Sequence, residues 1–171
     1  YESRLPERMT GAEFLAAAGE HVDPFTQCRP EVSYAIRACT RYAVEENERV
    51  RLFAELARGA DVDDPRTAAT LMGELMYQSH YAYTETGLGN PATDLLVQLA
   101  REQGPQRGIF GAKVTGGGAG GTVAVLGLAD REDAFDCLVQ HYADARGQQP
   151  YVFRGSSVGA DRFGVIEVTA G

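Results

Sequence analysis

Apolar residues along this chain recur at two different spacings, and the change from one to the other organises it. Over the first two thirds they fall three and four apart, the spacing of one helix face. Gly11–Gly19 predicts a short helix inside forty otherwise irregular residues, interrupted at Pro6, Pro24 and Pro30. Val50, Phe53, Ala54 and Ala57 give an apolar stripe to a helix running from about Tyr34 or Arg41 to Arg58, and Gly59 stops it. Asp63-Asp64-Pro65 is a start signal, an acid to cap and a proline for the first turn. The helix it opens carries Leu71, Leu75, Met76, Ala82 and Tyr83 and ends at Gly87. Asn90-Pro91 repeats the signal for a helix with Leu95, Leu96 and Leu99 on one side, closed by Gly104-Pro105.

After Gly108 the pattern shortens. Ile109–Thr115 and Thr122–Leu126 are short and rich in β-branched residues, and read as two strands. Asp130 caps a further helix, with Phe135, Leu138, Val139 and Tyr142 inward and Gly147 at its end. Tyr151–Arg154 and Gly164–Val168 predict a last pair of strands. Helices followed by β-β-α-β-β imply an α+β fold: a mostly antiparallel four-stranded sheet with helices packed on one face. No repeat or low-complexity linker divides the chain. It reads as one domain over 1–171, with 1–33 as an N-terminal, partly helical, irregular extension.

Composition narrows the partners. The 171 residues carry 16 basic and 24 acidic side chains, a net charge of −8, and Lys113 is the only lysine. Nucleic-acid binding through phosphate neutralisation needs clustered cations, so nucleic acid is not expected as a partner. No apolar run is long enough for a membrane span and no signal-peptide pattern opens the chain, so a cytoplasmic protein is expected. The chain begins at Tyr1 rather than Met, which suggests a processed chain or part of a longer one. Cys28, Cys39 and Cys137 share no metal or redox spacing and are expected to be reduced, mostly buried thiols.

Five glycines fill six positions between the two predicted strands, Gly116-Gly117-Gly118-Ala119-Gly120-Gly121. Gly116, Gly118 and Gly121 satisfy the G-x-G-x-x-G dinucleotide pattern, which has meaning only where a helix starts at the third glycine. Here Thr122-Val123-Ala124-Val125-Leu126 follows, a strand, and no Gly-Lys-Ser/Thr ending of a P-loop exists. Two readings remain. The glycines form a strand-to-strand turn against which a helix lies close, or their successive amides form an anion nest.

The wording of the stretch shifts the balance between them. Gly111-Ala112-Lys113-Val114-Thr115-Gly116-Gly117-Gly118-Ala119-Gly120-Gly121-Thr122-Val123 closely resembles the third motif of the GHMP kinases, written G-A-K/R-x-T-G-x-G-x-G-G in the galactokinase branch. Arg41–Val50 resembles the galactokinase helix with E-x-x-R-V, and Gly73-Glu74-Leu75-Met76 through Ser79-His80 resembles its GELM…SH segment. Glu74–Tyr83, Gly87-Leu88-Gly89, Phe153-Arg154-Gly155-Ser156-Ser157 and Gly159-Ala160 look most like the L-arabinokinase sub-branch. So does Leu5-Pro6-Glu7 with Gly11, Phe14-Leu15 and Gly19.

The resemblance implies the C-terminal half of such a sugar kinase, a ferredoxin-like domain. It also implies that Thr115, Gly116, Gly117, Gly118, Gly120 and Gly121 form a loop beside the nucleotide phosphates and the substrate. The main ATP loop, the catalytic aspartate and most sugar contacts of the family belong to its N-terminal half. Gly87-Leu88-Gly89-Asn90 shares some wording with that ATP loop but stands elsewhere, before a helix-start proline. No catalytic residue and no metal ligand is therefore expected in this chain. ATP and Mg²⁺ serve the intact enzyme, neither held tightly here. The expected partners are its own N-terminal half and a monosaccharide, L-arabinose or galactose. An exposed face that meets the missing half also predicts a homodimer or higher state. A free-standing ferredoxin-like binding or regulatory module is the competing reading.

The remaining polar residues have plainer expectations. His21, His80 and His141 fit no metal spacing, and for His80 a helix-packing role is expected ahead of a substrate role. Ser156 and Ser157 read as turn residues. Glu45-Glu46 reads as a solvated helix face, with Glu45, Asn47 and Arg49 serving structure. Lys113, on the strand entering the glycines, faces either phosphate or solvent.

Overall fold

A computed structural model describes residues 2–59, 64–116, 121–155, 158 and 160–165. Strand β1 (Met9–Thr10) leads into helix α1 (Gly11–Ala18), and β2 (Ser33–Tyr34) pairs back antiparallel with β1. Thr10 and Glu13 cap α1 reciprocally: the Thr10 hydroxyl accepts from the Glu13 amide at 3.2 Å, and the Glu13 carboxylate accepts from the Thr10 amide at 2.7 Å. The irregular extension is thus pinned at both ends. Arg8 reinforces the closure by donating to the Ser33 hydroxyl at 3.0 Å and its carbonyl at 2.7 Å.

Three long helices follow: α2 (Ile36–Arg58), α3 (Pro65–Tyr83) and α4 (Pro91–Gln103). The two start signals act as their chemistry requires. Asp64 accepts from the amides of Arg66 (3.2 Å) and Thr67 (3.1 Å), Asn90 accepts from Ala92 (2.9 Å), and each proline takes the first helical position, where no amide is needed. Asp63 lies outside the described residues. After Tyr83 the chain makes a π-type turn over Thr84–Leu88 that breaks at Gly87, whose φ is 91°. The helical path therefore stops at the expected glycine.

Strands β3 (Ile109–Thr115) and β4 (Thr122–Gly127) form an antiparallel hairpin, and α5 (Glu132–Arg146) follows. A four-residue helix, α6 (Ala160–Phe163), lies near the end. Helices α3 and α4 pack on β3, and α5 packs on α4. The core comprises Tyr77, Val97, Ala100, Ile109, Ala112, Ala134 and Leu138, with Leu96, Leu99, Val123 and Val125 around it. Ile109 and Ala112 are three apart, which in a regular strand sends them to opposite faces. A register shift between Ile109 and Gly111 inserts one residue and turns both into the core.

Among the described residues the sheet beside the core has two strands. Other expectations are corrected. Tyr151–Arg154 forms no strand, and Tyr151 and Phe153 are exposed; Gly164 and Val165 are in no strand, and residues 166–168 lie outside the described residues. Arg131, not Asp130, occupies the α5 cap position, without a side-chain cap bond. Val50 on the α2 stripe is 60% exposed, and no α2 residue is fully buried. On α4 the innermost positions are Thr93, Val97 and Ala100 rather than Leu95, Leu96 and Leu99.

Candidate functional site at the hairpin cleft

The hairpin is held against the helices by a close backbone crossing and two polar fastenings. At the crossing, α3 meets β3 where neither has a side chain. A Cβ on Gly73 would lie 1.9 Å from the Phe110 carbonyl oxygen, and one on Gly111 would lie 2.4 Å from the Gly73 Cα. The close helix approach read from the glycine-rich turn is therefore made by Gly73 and Gly111.

The first fastening is His80. Its ring is buried, with Nδ1 accepting from the Val114 amide at 3.3 Å and Nε2 3.2 Å from Asp94 Oδ1. Those partners fix the proton on Nε2. One imidazole thus ties α3 to β3 and α4. Burial pushes its pKa below the ordinary histidine value, outweighing the opposite pull of Asp94. The packing role expected for His80 is the one it has.

Glu46 makes the second fastening. Its carboxylate accepts from Ser79 Oγ at 2.5 Å, Lys113 Nζ at 2.9 Å and Arg49 Nε at 2.8 Å. Burial alone would raise the Glu46 pKa, but the three donors outweigh it and hold the group below the ordinary carboxylate range. Arg49 also donates to Glu45 at 3.1 Å, and its Nη2 is buried without a partner. Glu46 is thus no solvated helix charge, since its side chain is only 16% exposed. Lys113 faces neither bulk solvent nor a free anion: it is bound to a carboxylate on α2.

These groups form the floor of a cleft of about 410 Å³ between α2, α3 and the hairpin, walled by Tyr42, Phe53, Met76, Tyr83 and Val114. Tyr42 and Tyr83 meet edge to face, ring centroids 5.5 Å apart. Thr115 and Gly116, where the glycine loop begins, also line the cleft. Gly116 (φ 84°) and Gly121 (φ 117°) both hold left-handed backbone with open space where a Cβ would stand. Conformation, not crowding, demands glycine there. Gly117, Gly118 and Gly120 lie outside the described residues.

Residues 47–144 match the family model described as GHMP kinases C terminal. The chain belongs to the GHMP kinase C-terminal family. It is 39% identical, over 98% of its length, to L-arabinokinase of Arabidopsis thaliana and covers 17% of that protein. It is 36% identical to galactokinase of Chloroflexus aurantiacus, over 66% of this chain and 27% of that one. Identity to galactokinase of Mycobacterium tuberculosis is 33%, over 82% of this chain and 33% of the relative. The chain therefore spans a third or less of the curated relatives it matches.

The resemblances read at Arg41–Val50, Gly73–His80 and Gly111–Val123 converge in space in this GHMP kinase C-terminal domain. Glu46, Ser79 and Lys113 come one from each and meet at a single carboxylate. Sequence reasoning missed Glu46 because an acidic pair on a helix is usually solvated; the available signal was its place in the E-x-x-R-V helix. No group of three His, Cys, Asp or Glu among the described residues could hold a metal ion, and Glu46 is already engaged by three donors. No helix among the described residues is long and apolar enough to cross a membrane. Ser156 and Ser157 lie outside the description, and His21 and His141 are far in sequence from His80 and outside the cleft lining.

Proposed function

We propose that this chain is the C-terminal part of an ATP-dependent sugar-1-kinase that phosphorylates the anomeric hydroxyl of L-arabinose or galactose. The observation that carries this reading is the likeness to L-arabinokinase along 98% of the chain, with galactokinases also matched. Its role is to supply the loop of Thr115, Gly116, Gly117, Gly118, Gly120 and Gly121 as one wall of a cleft shared with an N-terminal half. Two features support that role. The loop leaves the hairpin in backbone conformations that suit glycine, and Lys113, two residues before it, is anchored to Glu46.

ATP and Mg²⁺ act in the intact enzyme, with the metal and the catalytic base supplied outside this chain. Two further strands of a ferredoxin-like, four-stranded sheet belong to the same proposal, since β4 has a free edge among the described residues. The domain is a single unit of a cytoplasmic enzyme, with neither nucleic acid nor membrane as partner. Phosphoryl transfer depends on positioning nucleotide, metal and nucleophile together, so the isolated chain is inactive.

The test is reconstitution. ADP release with each sugar is followed for the chain alone, for the N-terminal half alone and for the joined protein. Activity is expected only in the joined protein. Gly116→Val and Gly121→Val are expected to lower its kcat at least about tenfold, the size of effect a misplaced active-site wall produces. Phosphorylation by the isolated chain, or full activity in both loop variants, overturns the reading.

A further inference from the structure

Cys137 differs from the other cysteines in what its sulfur meets. Cys28 Sγ lies 3.8 Å from the Gly11 carbonyl oxygen, and Cys39 Sγ lies 3.9 Å from that of Thr86. Each is therefore a thiol beside an acceptor, with its proton engaged. Three side-chain nitrogens lie near Cys137 Sγ: Gln103 Nε2 at 3.3 Å, Arg107 Nη1 at 3.7 Å and His141 Nε2 at 3.7 Å. The cluster is built from separate elements. His141 stands one turn beyond Cys137 on α5, on the same face. Gln103 is the last residue of α4 and is 8% exposed. Arg107 donates to Gln103 Oε1 at 3.0 Å, which turns the amide nitrogen toward the sulfur. Cys137 is half-buried while Arg107 and His141 are exposed, so small molecules reach the site from solvent. None of the four lines the Glu46 cleft. Nor are the three cysteines mostly buried, as their sequence context suggested: Cys39 is exposed and the others are half-buried.

We propose that Cys137 is a modification site, a nucleophilic thiol that reacts with hydrogen peroxide and other small electrophiles with His141 as its base. Reactive cysteines sit in such partly exposed, donor-rich surroundings, whereas structural cysteines do not. With peroxide, Sγ attacks one oxygen and the O–O bond breaks. The thiol proton passes through His141 to the departing hydroxide, which leaves as water. The product is cysteine sulfenic acid, with sulfur oxidised by two electrons and peroxide reduced by two.

The test is competitive labelling of the full chain, read by peptide mass spectrometry. Limiting iodoacetamide is used in one arm, and hydrogen peroxide followed by dimedone in the other. Cys137 is expected to be modified about tenfold faster than Cys39 despite the greater exposure of Cys39, because activation rather than access sets the rate. His141→Gln and Arg107→Ala are each expected to slow Cys137 about fivefold while leaving Cys39 unchanged, since only one sulfur loses its partners. The unchanged Cys28 and Cys39 rates also report that the variants are folded. In denaturant the three thiols should react alike. Faster labelling of Cys39, or a Cys137 rate unmoved in both variants, overturns the proposal.

Discussion

At the scale of single residues, the Glu46 carboxylate and the His80 ring are kept inside this domain because each is engaged by several partners. Glu46 has three donors and His80 has a partner on each ring nitrogen. Deleting one member of such a cluster strands the others in low dielectric, at a cost of about 3–5 kcal/mol for a well-buried pair. His80 gives this a pH dependence with a definite sign. Its folded pKa is lowered by burial while the unfolded chain titrates near the ordinary value of 6.5. Below that value the unfolded state binds the extra proton first, so folding stability falls as pH drops below 6.5 and this contribution vanishes above it. Urea midpoints at pH 7.5 and 5 measure it. His80→Gln keeps a donor and an acceptor but does not titrate in this range. The stability advantage of the parent over His80→Gln should shrink toward the lower pH, and parallel profiles would refute the assignment.

At the scale of elements, the decisive contact is the crossing of α3 over β3. The helix is placed by its Asp64-Pro65 start, but its height over the strand is set by the absence of two side chains, Gly73 and Gly111. Gly73→Ala would drive a methyl to 1.9 Å from the Phe110 oxygen, with backbone on both sides and nothing flexible to yield. A loss of about 3 kcal/mol or more is expected, in the range of severe core disruption. Gly59→Ala is the control. Its φ is −86° and its nearest neighbour would be 3.5 Å away, so the change should stay within about 0.5 kcal/mol. Equal denaturant midpoints for the two variants would show that the crossing is not close. Gly73 also illustrates why sequence reading stops short: a glycine in mid-helix looks like a flaw until the strand beneath it is known.

At the scale of the whole molecule, the folded chain leaves apolar surface uncovered. Val44 is 53% exposed and Val50 60% on α2, while Tyr151 and Phe153, stacked edge to face, are 81% and 75% exposed. Large apolar side chains left this exposed favour association when they gather into a patch. The isolated chain is therefore expected to self-associate into a dimer or higher state at high concentration, measured by light scattering or sedimentation. Val50→Glu with Phe153→Glu should shift it toward monomer. A monomer mass across the whole concentration range would count against the prediction.

The sequence by itself determined what depends on near neighbours along the chain. Asp64-Pro65, Asn90-Pro91, Gly87, Gly104 and Gly147 set where helices begin and end, because caps and left-handed turns act over a few residues. The hairpin, the family and the failure of both nucleotide patterns in the glycine stretch were equally local, since a strand follows where a helix would be needed. Only the tertiary structure decided which polar groups meet. Glu46, Ser79 and Lys113 lie up to 67 residues apart, and nothing in the spacing says that three elements meet at one carboxylate. The same holds for Gly73 under β3 and for Gln103, Arg107 and His141 around Cys137. Local signals come from backbone geometry, whereas these contacts exist only once helices and strands have packed.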